Sequence, residues 1–225
     1  MIVTIDGPAG AGKSSAARAL ARRLGFHFLD TGAMYRAVTL AAQRRGLDFD
    51  RADLLEQLAR DVRIELQDTR VLLDDEDVTE AIRHPSLTSL IRYAADCPGV
   101  RTVLVELQRQ AAQAGDYVSE GRDQGTVVFP QAECKFFLTA SPEVRARRRL
   151  AELLRRGAST TFEEVLAAQT ERDEQDSTRE VGRLYAADDA ILVNTDRLEP
   201  PAVAVELERL YYQRTARLTS DPSRR

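Results

Sequence analysis

Gly7-Pro8-Ala9-Gly10-Ala11-Gly12-Lys13-Ser14 is the first stretch of this 225-residue chain whose residue types could do chemistry. It matches the spacing G-x-x-x-x-G-K-[ST] in full, between an apolar run from Ile2 to Asp6 and a helical pattern with Ala17, Leu20, Ala21 and Leu24 on one face. Glycines let the backbone turn tightly, so that successive N–H groups point at phosphate oxygens. A helix beginning near Lys13 adds the positive end of its dipole. Residues Gly7, Pro8, Ala9, Gly10, Ala11, Gly12, Lys13, Ser14 and Ser15 are therefore the expected cradle for a nucleoside triphosphate. Lys13 would reach the β and γ phosphates, and the Ser14 hydroxyl would lie on the Mg²⁺ side. A glycine-rich turn with no ligand is the plain alternative.

The loop points to a phosphoryl donor and is silent on the acceptor. Lysine occurs only at Lys13 and Lys135, and every other cation is arginine. That is a composition bias, and it also suits a protein that grips phosphates with forked guanidinium groups. An anionic acceptor beside a triphosphate needs cations to offset the repulsion between the two phosphate groups. No N-K-x-D guanine motif is present, and the apolar strand that would typically end in aspartate ends at Glu120, followed by Gly121-Arg122-Asp123. One glycine loop with several arginines after strands suggests a kinase of a small anionic molecule.

Elements that could hold these groups together are legible in the pattern. Short apolar strands are expected at Ile2 to Asp6, Phe26 to Leu29, Tyr117 to Glu120, Cys134 to Leu138 and Ala190 to Val193. Helices alternate with them: one ending at Gly25, a helical stretch over 31–60, one from Pro98 to Gly115, one opened by Ser141-Pro142, one behind the capping box Thr161-x-x-Glu164, and a last one over about 200–213. Val62 to Leu66 alternates with period two, and Val71-Leu72-Leu73 follows a turn around Asp68-Thr69-Arg70. A small antiparallel hairpin is expected there, with an acidic turn from Asp74 to Asp77. The expected fold is α/β: a five-stranded parallel sheet covered by helices on both faces, with its site at the carboxyl ends of the strands.

Bulk properties narrow the class. Hydrophobic residues make up 43% of the chain and charged residues 30%, as in a soluble globular protein. A net charge of −4 argues against a general nucleic-acid binder. Cys97 and Cys134 have no CxxC partner, so neither a zinc site nor a disulfide scaffold is expected, and free thiols fit a reducing cytosol. No apolar run approaches the ~18 residues of a membrane span, and the start of the chain reads as a strand rather than a signal peptide. The tail from Thr219 lacks apolar residues and is expected to fray.

Four motifs carry a resemblance to a known family. Asp30-Thr31-Gly32-Ala33-Met34-Tyr35-Arg36 resembles the D-[ST]-G-x-x-Y-R segment of bacterial cytidylate kinases, which are nucleoside monophosphate kinases of the P-loop, adenylate-kinase-like type. Glu120-Gly121-Arg122-Asp123-Gln124-Gly125-Thr126-Val127-Val128-Phe129-Pro130 is similar to their D-G-R-D-M-G-T-V-V-F-P, and Glu171-Arg172-Asp173 through Asp176 and Arg179 to their E-R-D-x-x-D-x-x-R. Asp75-Glu76-Asp77-Val78-Thr79 stands where their extra lobe has G-E-D-V-T. With the glycine loop, the likeness runs in order from residue 2 to about 212.

The resemblance implies a single kinase domain over 1–225, with a core of 1–61, 98–140 and 181–225. A CMP-binding insert lobe would span 62–97 and a mobile helical lid 141–180. It implies transfer from ATP to CMP or dCMP, with Mg²⁺ accompanying ATP and Lys13, Arg122 and Arg179 as catalytic residues. Arg36, Arg122 and Arg179 would bind the CMP phosphate. Arg101 and Asp123 would read the cytosine edge, a carboxylate accepting from the exocyclic amine and a guanidinium donating to N3 or O2. Arg172 and Asp176 would hold the ribose hydroxyls, and Thr31 and Tyr35 would border the acceptor nucleotide. Arg145, Arg148 and Arg149 would approach the ATP phosphates from the lid. A cytoplasmic monomer whose partners are small nucleotides, with no nucleic acid or membrane, is the expectation. The chain departs from the family pattern at Gln124 (for Met), Glu120 (for Asp) and Arg92 (for a base-contacting serine), which leaves acceptance of UMP open.

Plainer roles stand beside these. The run Arg145 to Arg149, with Arg155 and Arg156 beyond it, could be a solvated helix face, and contiguous arginines cannot all share one face. Arg36, Arg122, Arg172 and Arg179 could be structural ion-pair residues, and Asp123 a capping residue. Asp6 suits a structural hydrogen bond better than a metal. His27 and His84 read as ordinary core or surface residues. The competing functions are a P-loop kinase of another small acceptor, such as UMP, another nucleotide or a shikimate-like molecule, and a nucleotide-binding regulator with no transfer.

Overall fold

The computed structural model describes residues 1–67, 69–155 and 157–220; Asp68 of the expected turn, Arg156 of the arginine run and the tail from 221 lie outside them. Strand β1 (Ile2–Asp6) is apolar and almost wholly buried, as a central parallel strand must be. Helix α1 (Lys13–Leu24) follows the glycine loop and ends at Gly25. Strand β2 (His27–Asp30) runs into α2 (Thr31–Arg44), whose first turn Asp30 caps by accepting from the Ala33 N–H at 3.1 Å.

The helical stretch expected over 31–60 is two helices. After Arg45 and Gly46 the Leu47 N–H turns back to the Ala42 carbonyl at 3.0 Å, closing α2, and α3 (Ala52–Asp61) starts afresh. Strands β3 (Ile64–Leu66) and β4 (Val71–Leu73) form the expected hairpin. The acidic turn is shorter than Asp74 to Asp77. Asp74 and Asp75 both adopt positive φ (49° and 69°), the two-residue geometry that matches hairpin twist, and β5 (Glu76–Asp77) returns as a third strand on β4.

Helix α4 (Ile91–Asp96) has no counterpart in the sequence reading and leads to α5 (Pro98–Ala111). Then come β6 (Tyr117–Glu120), a single wide turn over Gln124–Val128, β7 (Cys134–Thr139), α6 (Pro142–Arg155) and α7 (Phe162–Thr178). Helix α7 carries the full capping box, with the Thr161 hydroxyl accepting from Glu164 N–H and the Glu164 carboxylate accepting from Thr161 N–H. Strand β8 (Ile191–Asn194) and α8 (Pro200–Ser220) complete the chain. Helix α8 extends past the expected end at about 213 to Ser220, and Val203, Leu207 and Tyr211 on its inner face join the core; the tail expected to fray lies mostly outside the described residues.

The residues divide into two compact units, Met1–Phe28 with Asp116–Arg225, and Leu29–Gly115. The five-stranded sheet has the order β2-β6-β1-β7-β8, and β1 pairs in parallel with both β6 and β7. The first unit is built on Val3, Ile5, Leu20, Val118, Phe136, Leu138 and Leu207, which join the sheet to α1 and α8. The second has its own core of Leu55, Leu58, Leu73, Ile82, Leu87 and Leu104, around the three-stranded sheet β3-β4-β5 and α2 to α5. Cys97 and Cys134 are both free and buried. Among the described residues no helix is long and apolar enough to cross a membrane.

Candidate functional site

Parallel pairing of β6, β1, β7 and β8 brings four carboxyl ends to one edge of the sheet, and with them Asp6, Glu120, Thr139 and Thr195. The glycine loop leaves β1 at that edge. At Gly7 the backbone adopts φ 143°, and a Cβ there would lie 2.2 Å from the Leu138 carbonyl oxygen, so only glycine fits. The loop's carbonyls are tied back by side chains. Lys13 Nζ donates to the Pro8 carbonyl at 2.8 Å. Arg145 Nη1 and Gln169 Nε2 donate to that of Ala9 at 3.0 and 3.1 Å, and Thr195 Oγ1 to that of Ala11 at 3.1 Å. The Ala11 N–H turns inward to the Pro8 carbonyl at 3.4 Å, and a peptide whose carbonyl is held on one side presents its N–H on the other, the arrangement an anion-binding nest requires.

Lys13 is only 5% exposed. Burial first, and then the Arg122 guanidinium, push its ammonium down to about 7. The ammonium is thus held where a polyphosphate would relieve both desolvation and cationic crowding. Ser14 Oγ donates to Glu120 Oε1 at 2.9 Å, a hydroxyl and a buried carboxylate side by side. Among the described residues no cluster of three or more His, Cys, Asp or Glu could hold a metal ion unaided. Hard oxygen donors in so small a number fit Mg²⁺, which keeps waters and borrows phosphate oxygens from its nucleotide.

Asp6 has a structural task. Its two carboxylate oxygens accept from the Gln124 N–H at 2.9 Å and the Gly125 N–H at 2.7 Å, which fixes the turn after Asp123. Burial raises its carboxyl to about 7, against the pull of those two amides. Asp6→Ala leaves both buried N–H groups without acceptors and is expected to cost ~1–3 kcal/mol, read as a lower denaturant midpoint. A folded-state pKa above the unfolded value means the native chain binds the extra proton. The stabilising contribution of Asp6 should therefore shrink as pH rises through about 7. The gap between wild type and variant narrows accordingly between about pH 4 and 7 and is level above that.

A cluster of arginines gathers on one carboxylate of α7. Asp176, whose side chain is 3% exposed, accepts from Arg122 Nε at 2.8 Å and Arg179 Nη2 at 2.9 Å, with Arg172 Nε 3.8 Å away. Burial drives the Asp176 carboxyl upward, but Arg122, Arg172 and Arg179 outweigh it and hold the group below the usual carboxylate range. Four residues expected to bind the acceptor thus meet around a single atom group, with the guanidiniums outnumbering the carboxylate.

The arginines of α6 divide by their position on the helix. Arg145 is buried, bonded to the Ala9 and Ala140 carbonyls and paired with Asp173 at 2.6 Å. Arg148 turns toward the loop after β8, donating to Thr195 Oγ1 at 3.0 Å and to the Thr195 and Leu198 carbonyls. Arg149 pairs with Glu152 at 2.8 Å. Asp123 is buried directly after Arg122, and its carbonyl accepts from Val127 and Val128.

The second unit holds the remaining expected residues. Arg101 is buried on α5, donates to the Ala95 carbonyl at 3.2 Å and lies 5.6 Å from the centroid of the Tyr35 ring. Arg36 Nη1 reaches the Ile82 carbonyl at 3.4 Å, and Thr31 is buried at the start of α2. Arg92, the departure from the family serine, lies over the Tyr93 ring at 4.8 Å and donates to its hydroxyl at 3.1 Å. Sequence reasoning did not single out Gln169 or Thr195. Neither sits in a motif, and each acquires its partner only when its element docks on the glycine loop.

Comparison with known proteins accords with this chemistry. The family model of cytidylate kinase matches residues 3–211. A cytidylate kinase of Rhodopirellula baltica is 54% identical over 93% of this chain and 92% of its own length. One of Carboxydothermus hydrogenoformans is 46% identical over 92% and 95%. A solved structure of an uncharacterized protein from Eubacterium ventriosum covers 93% of this chain and 97% of its own at 11% identity and a TM-score of 0.52, a likeness of fold alone. A glycine cradle with its buried lysine, an arginine cluster on the next strands and helices, and a match across nearly the whole length lead to one assignment: the chain belongs to the cytidylate kinase family.

Proposed function

We propose that this chain transfers the γ-phosphoryl group of ATP to CMP or dCMP, giving CDP or dCDP and ADP. The observation that carries the reading is the presence, in one compact unit, of a glycine loop with its carbonyls tied back and a buried lysine, together with three arginines around Asp176. An oxygen of the acceptor phosphate attacks the γ phosphorus, and the bond to the ADP oxygen breaks in line, so no side-chain nucleophile is needed. Lys13 exchanges the Pro8 carbonyl for the β and γ phosphates as charge spreads over them. Arg122 and Arg179, with Arg36, hold the acceptor phosphate and offset its repulsion toward ATP. Arg172 and Asp176 hold the ribose, Arg101 and Asp123 the cytosine edge, and Thr31 and Tyr35 border the nucleotide.

Bound with ATP, Mg²⁺ offsets negative charge on the β and γ phosphates. Ser14 and, through water, Glu120 are the residues that would hold it. The segment 141–180 acts as a lid that excludes water, and 62–97 as the lobe that encloses CMP. The chain works as a monomer in the cytoplasm on these small molecules.

ADP release in the presence of ATP and CMP, with dCMP, UMP and shikimate as parallel acceptors, tests the reading. Release that depends on CMP and dCMP is expected. ATP binding without any acceptor-dependent release would instead mark a nucleotide-binding regulator. Asp123→Ala should weaken CMP by ~1–3 kcal/mol, the loss of a charged hydrogen bond, and leave ATP almost unchanged. Titration of both nucleotides against the variant checks this, and equal losses count against base readout at that position.

A further inference from the structure

We propose that Gln169 is a positioning residue for the phosphate loop, its amide holding the Ala9 carbonyl so that the Gly10 N–H is turned toward the polyphosphate. Gln169 lies in the middle of α7 and is 7% exposed, a polar side chain directed into the protein. Its Nε2 donates to the Ala9 carbonyl at 3.1 Å across 160 residues of sequence. Gly10 makes room for that approach. Its φ is 78°, and a Cβ there would lie 2.6 Å from Gln169 Nε2 and 3.0 Å from Arg145 Cβ. Among the described residues there are no cis peptide bonds. In a trans peptide the N–H points opposite to the C=O, so a carbonyl of Ala9 anchored on α7 sends the Gly10 N–H away from α7. A flipped peptide would present carbonyl oxygen to the phosphates, which repels them.

The same carbonyl accepts from Arg145 Nη1 at 3.0 Å, so α6 and α7 grip one peptide together. Arg145 is in turn paired with Asp173, one helical turn beyond Gln169. Asp176, with its arginines, follows on the same side of α7 at the next turn. One stripe of this helix therefore carries the loop anchor, the Arg145 partner and the arginine hub. Gln169 supplies a neutral donor, adding no charge where Arg145 already provides one.

The proposal rests on residues 7–15 being the nucleotide cradle, and its test separates the two. Mg²⁺–ADP is titrated calorimetrically against wild type, Gln169→Met (similar in shape, no donor) and Gln169→Glu. Steady-state KM for ATP and for CMP and thermal midpoints are measured on the same proteins. Gln169→Met should weaken ADP and raise KM for ATP by roughly five- to tenfold, the loss of one hydrogen bond, with KM for CMP within about twofold. Its thermal midpoint should stay close to that of wild type. Gln169→Glu should lose more, since a carboxylate would face the Ala9 carbonyl and repel it instead of donating to it. ADP binding by Gln169→Met equal to wild type overturns the role of Gln169. So does a parallel loss for ATP and CMP with a lowered midpoint, which marks a packing residue. A wild-type chain that binds no ADP overturns the cradle reading itself.

Discussion

Lys13→Ala should lower kcat/KM for phosphoryl transfer by at least about a thousandfold while the chain stays folded, because in the proposed mechanism this ammonium meets the charge that spreads over the β and γ phosphates. Three features of the site lead to that size of effect. The lysine is 5% exposed, so bulk water cannot take over its function cheaply. Its Nζ is held at the Pro8 carbonyl, within the loop that would carry the triphosphate. Its ammonium is pushed down to about 7 by burial and by Arg122, which means the folded state bears a cost for charging it. The same shift sets the sign of the stability effect. A lysine whose folded pKa lies below its unfolded value destabilises the native state as pH falls toward the folded pKa, so removing it should leave the denaturant midpoint at pH 7 unchanged or raised. Turnover within tenfold of wild type would refute the role assigned to Lys13, and a collapsed midpoint would show a packing role instead.

Asp176→Ala should destabilise the chain by about 3–5 kcal/mol, the cost of leaving buried cations without their counter-charge. Arg179 is as buried as the carboxylate demands, and Arg122 is mostly buried, so neither can turn to solvent without moving its backbone. Arg172 is more exposed and can escape, which keeps the figure near the lower end. The variant also tests what the cluster is for. If the arginines are arranged for a phosphate dianion, inorganic phosphate should stabilise Asp176→Ala more than it stabilises wild type, because the added anion replaces the missing carboxylate. Denaturant midpoints with and without millimolar phosphate measure this. Equal stabilisation of both proteins would mean that the guanidiniums form a purely structural network.

What could be read along the chain was set by local chemistry. A glycine-flanked lysine and serine between an apolar strand and a helix declare their task wherever they occur, because the amides that bind phosphate belong to consecutive residues. Ser141-Pro142 and the pair Thr161 and Glu164 declared their helix starts for the same reason, since a cap acts within one turn. Local pattern ran out at Arg45 to Arg51, where Leu54, Leu55 and Leu58 prolonged an apolar helical signal across a break made by a backward turn at Gly46. It ran out again at Glu76 and Asp77, whose charges read as a turn although the backbone pairs them with β4.

The roles of Arg145, Arg148, Gln169 and Thr195 were decided by tertiary structure alone. The arginine run on α6 has one composition and three environments: Arg145 under the Ala9 carbonyl, Arg148 against Thr195, Arg149 beside Glu152. Successive residues on a helix face in different directions, and only the docking of that helix selects which of them meets the loop. By itself the sequence determined that a polyphosphate cradle exists and which residue types surround it. The packing of α6, α7 and the segment after β8 decided which side chains hold its carbonyls, since those partners lie more than a hundred residues away and no short-range rule brings them together.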